Sequence, residues 1–82
     1  MGTKDVKELL DRRPFKAFRI HLTNGLAFDV RHPDQCSVGS TAVRIVMPQD
    51  PALGEELRGK HIICSLIHIT HIIELEQESL LP

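Results

Sequence analysis

Four side chains able to ligate a borderline metal ion lie in one short segment, His61-x-x-Cys64-x-x-x-His68-x-x-His71. Imidazole nitrogen and thiolate sulfur are the donors of tetrahedral zinc sites. Spacing decides whether they converge. In an extended chain, side chains alternate between faces, so the odd separation of His61 and Cys64 sends them to opposite sides. Only a turn inside the segment brings His68 and His71 together. The expected chemistry is that of surface imidazoles beside a buried thiol, with no metal and no cofactor.

Other reactive types are similarly placed. Cys36 and Cys64 fall in apolar strand patterns, where a thiol lacks the neighbouring base and positive field that make it nucleophilic. There is no glycine-rich phosphate loop, and the pairing of Asp29 or Glu74 with nearby histidines is nonspecific. The chain is therefore read as no enzyme. Arg19, His21 and Arg31 share the outer face of one hairpin, with Arg12, Arg13 and Lys16 just before it, and form a candidate nucleic-acid face. The chain has no Tyr or Trp and three Phe, all at core-like or junction positions, so it lacks the usual aromatic platform for stacking bases.

Composition sets the frame for these residues. The chain has 82 residues, which implies one small domain spanning 1–82 with a small core. Ten Lys and Arg against eleven Asp and Glu give a formal charge of -1, so no global field steers the chain to polyanions. Met1-Gly2-Thr3-Lys4-Asp5 is not an apolar leader and no run approaches the roughly 18 apolar residues of a membrane span. The expectation is a soluble, cytoplasmic protein with reduced thiols, bound to no membrane.

The elements that must position these side chains follow from periodicity. Thr3 precedes Val6, Leu9 and Leu10 on one helical face and Pro14 follows, which predicts a helix over about residues 4–12 with Thr3 as its cap. Phe18, Ile20 and Leu22 alternate with Arg19, His21 and Thr23, and Leu26, Phe28 and Val30 with Ala27, Asp29 and Arg31, as two half-buried strands. Alternation predicts strands over about 17–23, 26–32, 35–38, 41–47, 61–66 and 70–76. A two-residue Asn24-Gly25 turn would oppose His21 to Phe28 and mix the faces. A three-residue loop, Thr23 to Gly25, opposes Ile20 to Phe28 and gives Gly25 the left-handed position that glycine tolerates. A two-residue Gly39-Ser40 turn keeps Cys36, Val38, Val43, Ile45 and Met47 on one face.

His32-Pro33-Asp34 reads as a kink between hairpins. Asp50-Pro51 with Leu53 and Leu57 reads as a capped helical turn inside a connector over 48–60. The run over 61–75 is too long for one strand, and its apolar spacing slips from two to three near Ile69 and Ile72, so a 3₁₀-like turn is placed at 66–70. The tail from Gln77 to Pro82 reads as frayed. The core is expected to hold Phe18, Ile20, Leu22, Phe28, Val30, Val43, Ile45, Ile62 and Ile73. In the last two strands Ile62, Cys64, Leu66, Ile69, Ile73 and Leu75 are assigned inward. Ile63 and Ile72 are left on the other face as a candidate interface.

One helix followed by short antiparallel strands, an apolar-x-Asn-Gly first turn and a break before the last strand resembles the Sm-like small barrel. That resemblance implies a five-stranded antiparallel barrel with an N-terminal helix. "RRPFKAFRIHLTNGLAFDVRHPD" together with "LIHITHIIEL" is similar to a group of short uncharacterised bacterial proteins with an Arg-Pro-Phe, Phe-Arg-Ile-His-Leu, Gly, Phe, Val, His-Pro pattern. Cys64-Ser65-Leu66-Ile67 stands where Sm proteins carry an RNA-contacting apolar-Arg-Gly run. The sequence therefore favours a non-enzymatic binding and assembly module that self-associates, as a dimer ahead of a ring, with Sm-like RNA binding as the alternative.

Overall fold

The computed structural model describes residues 2–75. Helix α1, Thr3–Asp11, is followed by strands β1 (Phe18–Leu22), β2 (Ala27–Val30), β3 (Cys36–Val38), β4 (Ala42–Val46), β5 (His61–Ser65) and β6 (Ile69–Glu74). A 3₁₀ turn at Pro33–Gln35 separates β2 from β3, and another at Leu66–His68 separates β5 from β6. Glu76 and the tail over 77–82 lie outside the described residues.

The strands do not close into a barrel. They form two three-stranded antiparallel sheets, β2-β1-β6 and β3-β4-β5, so the expected five-stranded Sm-like barrel is corrected. The physical reason lies at the junction of β2 and β3, where a barrel of that kind needs one long bent strand. Pro33 has no N–H to donate to a ladder. The groups around it pair locally: Gln35 N–H donates to the His32 carbonyl, and Cys36 N–H to that of Pro33. The Arg31 N–H, which would continue β2, donates to Gln35 Oε1 at 2.8 Å. One strand thus becomes two, each belonging to a different sheet.

The first hairpin has the three-residue loop. Ile20 opposes Phe28, Leu22 N–H donates to the Leu26 carbonyl at 2.9 Å, and Gly25 has φ of +89°. Asn24 adds a side-chain bond from the Leu26 N–H. The second hairpin differs from the expected register. Val38 opposes Val43 and Cys36 opposes Ile45, so the loop residues are Ser40 and Thr41, closed by Gly39 N–H to the Ala42 carbonyl at 2.8 Å. The slip is two residues. Because side chains alternate with period two, the inward set is unchanged.

The long connector between β4 and β5 folds as consecutive turns rather than a helix. Asp50 Oδ1 accepts from the Ala52 N–H, and Met47 N–H donates to the Lys60 carbonyl at the base. Gly59 supplies a left-handed position at φ +68°.

The inward side chains of both sheets form one cluster: Phe18, Ile20, Phe28, Val30, Cys36, Val43, Ile45, Met47, Cys64, Leu66 and Ile69, joined by Val6 of the helix. Leu22 and Ile62 are half-buried at its border. Thr3 is not the cap. Gly2 occupies that position, and the Thr3 hydroxyl lies 3.2 Å from the Gly39 carbonyl and 3.3 Å from that of Ser40, fastening the helix to the β3–β4 turn.

The last strand carries the main correction to the core. Leu22 opposes Ile69 but His21 opposes His71, so Thr70 is an extra residue in β6. A bulge of one residue reverses the alternation beyond it. Ile72, opposite Ile20, packs against the core, whereas Ile73 is 47% exposed. The two residues exchange the faces assigned to them from the sequence. We expect Ile72→Ala to cost about 2 kcal/mol in urea unfolding and Ile73→Ala less than about 0.5 kcal/mol. Equal losses would contradict the bulge.

Candidate functional site

The metal-donor segment is dispersed by its secondary structure. His61 is exposed at the start of β5, while Cys64 faces the core opposite Val43. His68 ends the 3₁₀ turn, with Nδ1 3.5 Å from Thr23 Oγ1. His71 lies across the ladder from His21, and their rings stack with centroids 4.3 Å apart and planes 11° from parallel. Among the described residues no three His, Cys, Asp or Glu side chains are grouped to hold a metal ion.

Both thiols are poor nucleophiles. Burial pushes the Cys36 thiol up to about 11, with the nearby Cys64 adding to the effect, and burial also raises Cys64. Neither forms a disulfide. A thiol that remains protonated at neutral pH attacks slowly.

The outer face of the first sheet is organised in cross-strand rows. One runs Asp29–Arg19–Ile73 and the next Ala27–His21–His71. Arg19 donates to Asp29 through both Nε, at 2.6 Å, and Nη2, at 3.1 Å, and Arg31 Nη2 reaches the same carboxylate at 3.0 Å. The three candidate nucleic-acid residues are thus together on one side of the sheet, but two of them are already bound to one anion. The hydrogen bond from Arg19 holds the Asp29 carboxyl below the usual carboxylate range, opposed by partial burial and helped by the charges of both arginines. Phosphate would have to compete with that carboxylate.

What the periodicity reading passed over is a second apolar set. Leu26, Ile63, Ile67 and Ile73 are large, apolar and exposed, and Ile67 most of all at 79%. Alternation alone puts Leu26 on the inward face with Phe28 and Val30, but it sits at the exit of the loop that ends in Gly25, opposite Leu22, and is exposed. Ile67 sits inside the 3₁₀ turn, where alternation gives no rule for direction. Ile63 and Ile72, the candidate interface, are separated: Ile63 is 64% exposed on β5, and Ile72 belongs to the border of the core.

Beside β5 lies an open groove of about 390 Å³. Its walls are Leu22, Leu26 and Phe28 from the first hairpin and Ile62, Ile63 and Cys64 from β5, with polar Thr23, Asn24 and His68 completing the lining. The groove is the gap between the two sheets at one end of the molecule, and the exposed edge of β5 borders it.

No family model matches the chain, and no match to it is found among curated proteins or solved structures. The arrangement of residues is accordingly the basis for any functional reading. No helix among the described residues is long and apolar enough to cross a membrane.

The other strand edges carry charge or cover. On β2, Asp29 holds two arginines. On β3 the strand is three residues long, α1 packs beside it, and the Cys36 N–H is already bonded. On β6, Glu74 meets Arg12 at 2.8 Å and Lys16 at 3.6 Å. Charges and covering elements of this kind discourage strand addition. Strand β5, His-Ile-Ile-Cys-Ser, has no Lys, Arg, Asp or Glu.

The Asp29 cluster gives a pH dependence of known sign. A carboxyl whose folded pKa lies below its unfolded value near about 3.9 adds stability above that value and loses it as pH falls through the folded value. Asp29→Asn is expected to be less stable than the parent at pH 7, with the difference closing below about pH 4. Thermal melts across that range test this. A constant difference at all pH values would assign the effect to packing instead.

Proposed function

We propose that this chain is a non-enzymatic, cytoplasmic binding and assembly module that acts by associating with itself as a dimer. The observation carrying this reading is the edge of β5, uncharged and uncovered among the described residues, with Ile63 64% exposed on it and a mainly apolar groove at its side. An edge of that character is one that monomeric proteins ordinarily protect. The high-lying buried thiols favour a binding role over nucleophilic catalysis. The engagement of Arg19 and Arg31 with Asp29 favours a protein partner over a polyanion. An isologous dimer uses one patch twice and leaves no further edge open, whereas a head-to-tail contact must close into a ring.

A contact of one strand and one groove is small by the standard of stable complexes, below about 1,200 Å² in total, so the dimer is expected to dissociate on dilution. Light scattering and sedimentation over a concentration series should give twice the 9.3 kDa chain mass at the upper end. Ile63→Lys should return the monomer with an unchanged circular dichroism spectrum, because that side chain lies outside the core. A parent protein that stays monomeric up to about 1 mM, corresponding to a binding free energy weaker than about 4 kcal/mol, would refute the proposal.

A further inference from the structure

Resting on the self-association reading, we propose how the second copy is bound: β5 pairs with β5 of another molecule, antiparallel, about a two-fold axis at Ile63. The two three-stranded β3-β4-β5 sheets become one continuous sheet across the dimer.

The direction of the β5 backbone groups leads to this register. Met47 N–H donates to the Lys60 carbonyl, and Leu66 N–H to the Thr41 carbonyl, both at 2.9 Å. These bonds bracket the β4–β5 ladder, in which Val43 opposes Cys64 and Ile45 opposes Ile62. Hydrogen-bonded and non-bonded pairs alternate in an antiparallel ladder, so Val43–Cys64 and Ile45–Ile62 are the bonded pairs. The main-chain groups of His61, Ile63 and Ser65 therefore turn away from β4, toward the free edge.

A strand added to that edge must present its own outward groups opposite these three residues. The set His61, Ile63, Ser65 is symmetric about its middle member, so β5 is its own complement. With the axis at Ile63, Ile63 opposes Ile63 of the second copy, and His61 opposes Ser65 in both directions. Moving the axis by one residue keeps the bonding parity but leaves one outward residue of each strand without a partner.

Side chains and charges agree with this pairing. Ile63 lies on the outer face next to Arg44, and the two Ile63 side chains meet across the junction. Ile62 and Cys64 point to the groove side, where the same residues of the second copy lie beside Leu26 and Phe28. Lys60 flanks the strand at one end only. Its copy lies about six residues away along the pair, roughly 20 Å, beyond a Debye length of about 8 Å. Arg44 and its copy are three strand spacings apart, roughly 14 Å, and are likewise screened.

Cross-linking of the full chain tests the register. Directly opposed bonded residues have Cα atoms about 5.5 Å apart, within disulfide range. Under mild oxidation Ile63→Cys should form a disulfide-linked dimer. His61→Cys alone and Ser65→Cys alone should not, because each meets its own copy at about 14 Å, but a mixture of those two variants should give the linked heterodimer. The parent serves as control, since Cys36 and Cys64 are buried. A protein with dimer mass whose Ile63→Cys form fails to link, or whose His61→Cys form links to itself, overturns this pairing and leaves self-association standing. A monomeric parent overturns both.

Discussion

Strand alternation is the constraint on which the rest of this small protein depends. With side chains thrown alternately to two faces, each strand offers only every second residue to the core, and a single inserted residue exchanges inside for outside. Two adjustments make the apolar residues of six short strands meet in one cluster. The loop ending in Gly25 keeps Ile20 and Phe28 on a common side. The extra Thr70 turns Ile72 inward after Ile69. Without the second adjustment Ile73 would face Phe18 and Ile20, and Ile72 would face water.

The same constraint explains how much was legible in the sequence. The helix, all six strands and both 3₁₀ breaks could be read because their apolar spacing or their prolines signal them directly. Phe18, Ile20, Phe28, Val30, Val43 and Ile45 were readable as core for the same reason. The second hairpin shows the limit: Gly39-Ser40 and Ser40-Thr41 turns differ by two positions in pairing and place the same side chains inside, so hydrophobic pattern cannot distinguish them. The three-residue spacing of Ile69 and Ile72 was a visible sign of the bulge. It did not say on which side of the slip the alternation should be restarted, and the choice of Ile73 as inward followed from that. Closure was not legible, because it depends on whether strands far apart in the chain share a ladder, and Pro33 interrupts the one that would have been needed.

The two outer faces are built from different materials. On the first sheet, charged groups are paired within the molecule: Asp29 takes two arginines, and Glu74 ties the segment after the helix through Arg12 and Lys16, while His21 stacks on His71 with its buried Nε2 lacking a hydrogen-bond partner among the described residues. On the second sheet, β5 offers isoleucine and main-chain groups with no charge among them. The candidate nucleic-acid residues Arg19 and Arg31 are not free cations, because the alternating polar position between them is the carboxylate that both bind. Cross-strand opposition of Arg19 and Asp29 is a property of register, and register is what joins residues ten apart into a clamp.

The division into two sheets also separates them by the length of chain each must close. Sheet β3-β4-β5 is a meander over Cys36–Ser65, with neighbours in space that are neighbours in sequence. Sheet β2-β1-β6 joins Phe18 to Glu74, and the Thr3 hydroxyl waits for a turn 36 residues downstream. Closing the longer loop carries the greater entropic cost, so the β1–β6 ladder is the costlier of the two to close. Without that ladder, Ile69 and Ile72 would not cover the core that the two sheets share. Strand β6, the last of the described strands, is thus the element that completes the shelter of the core.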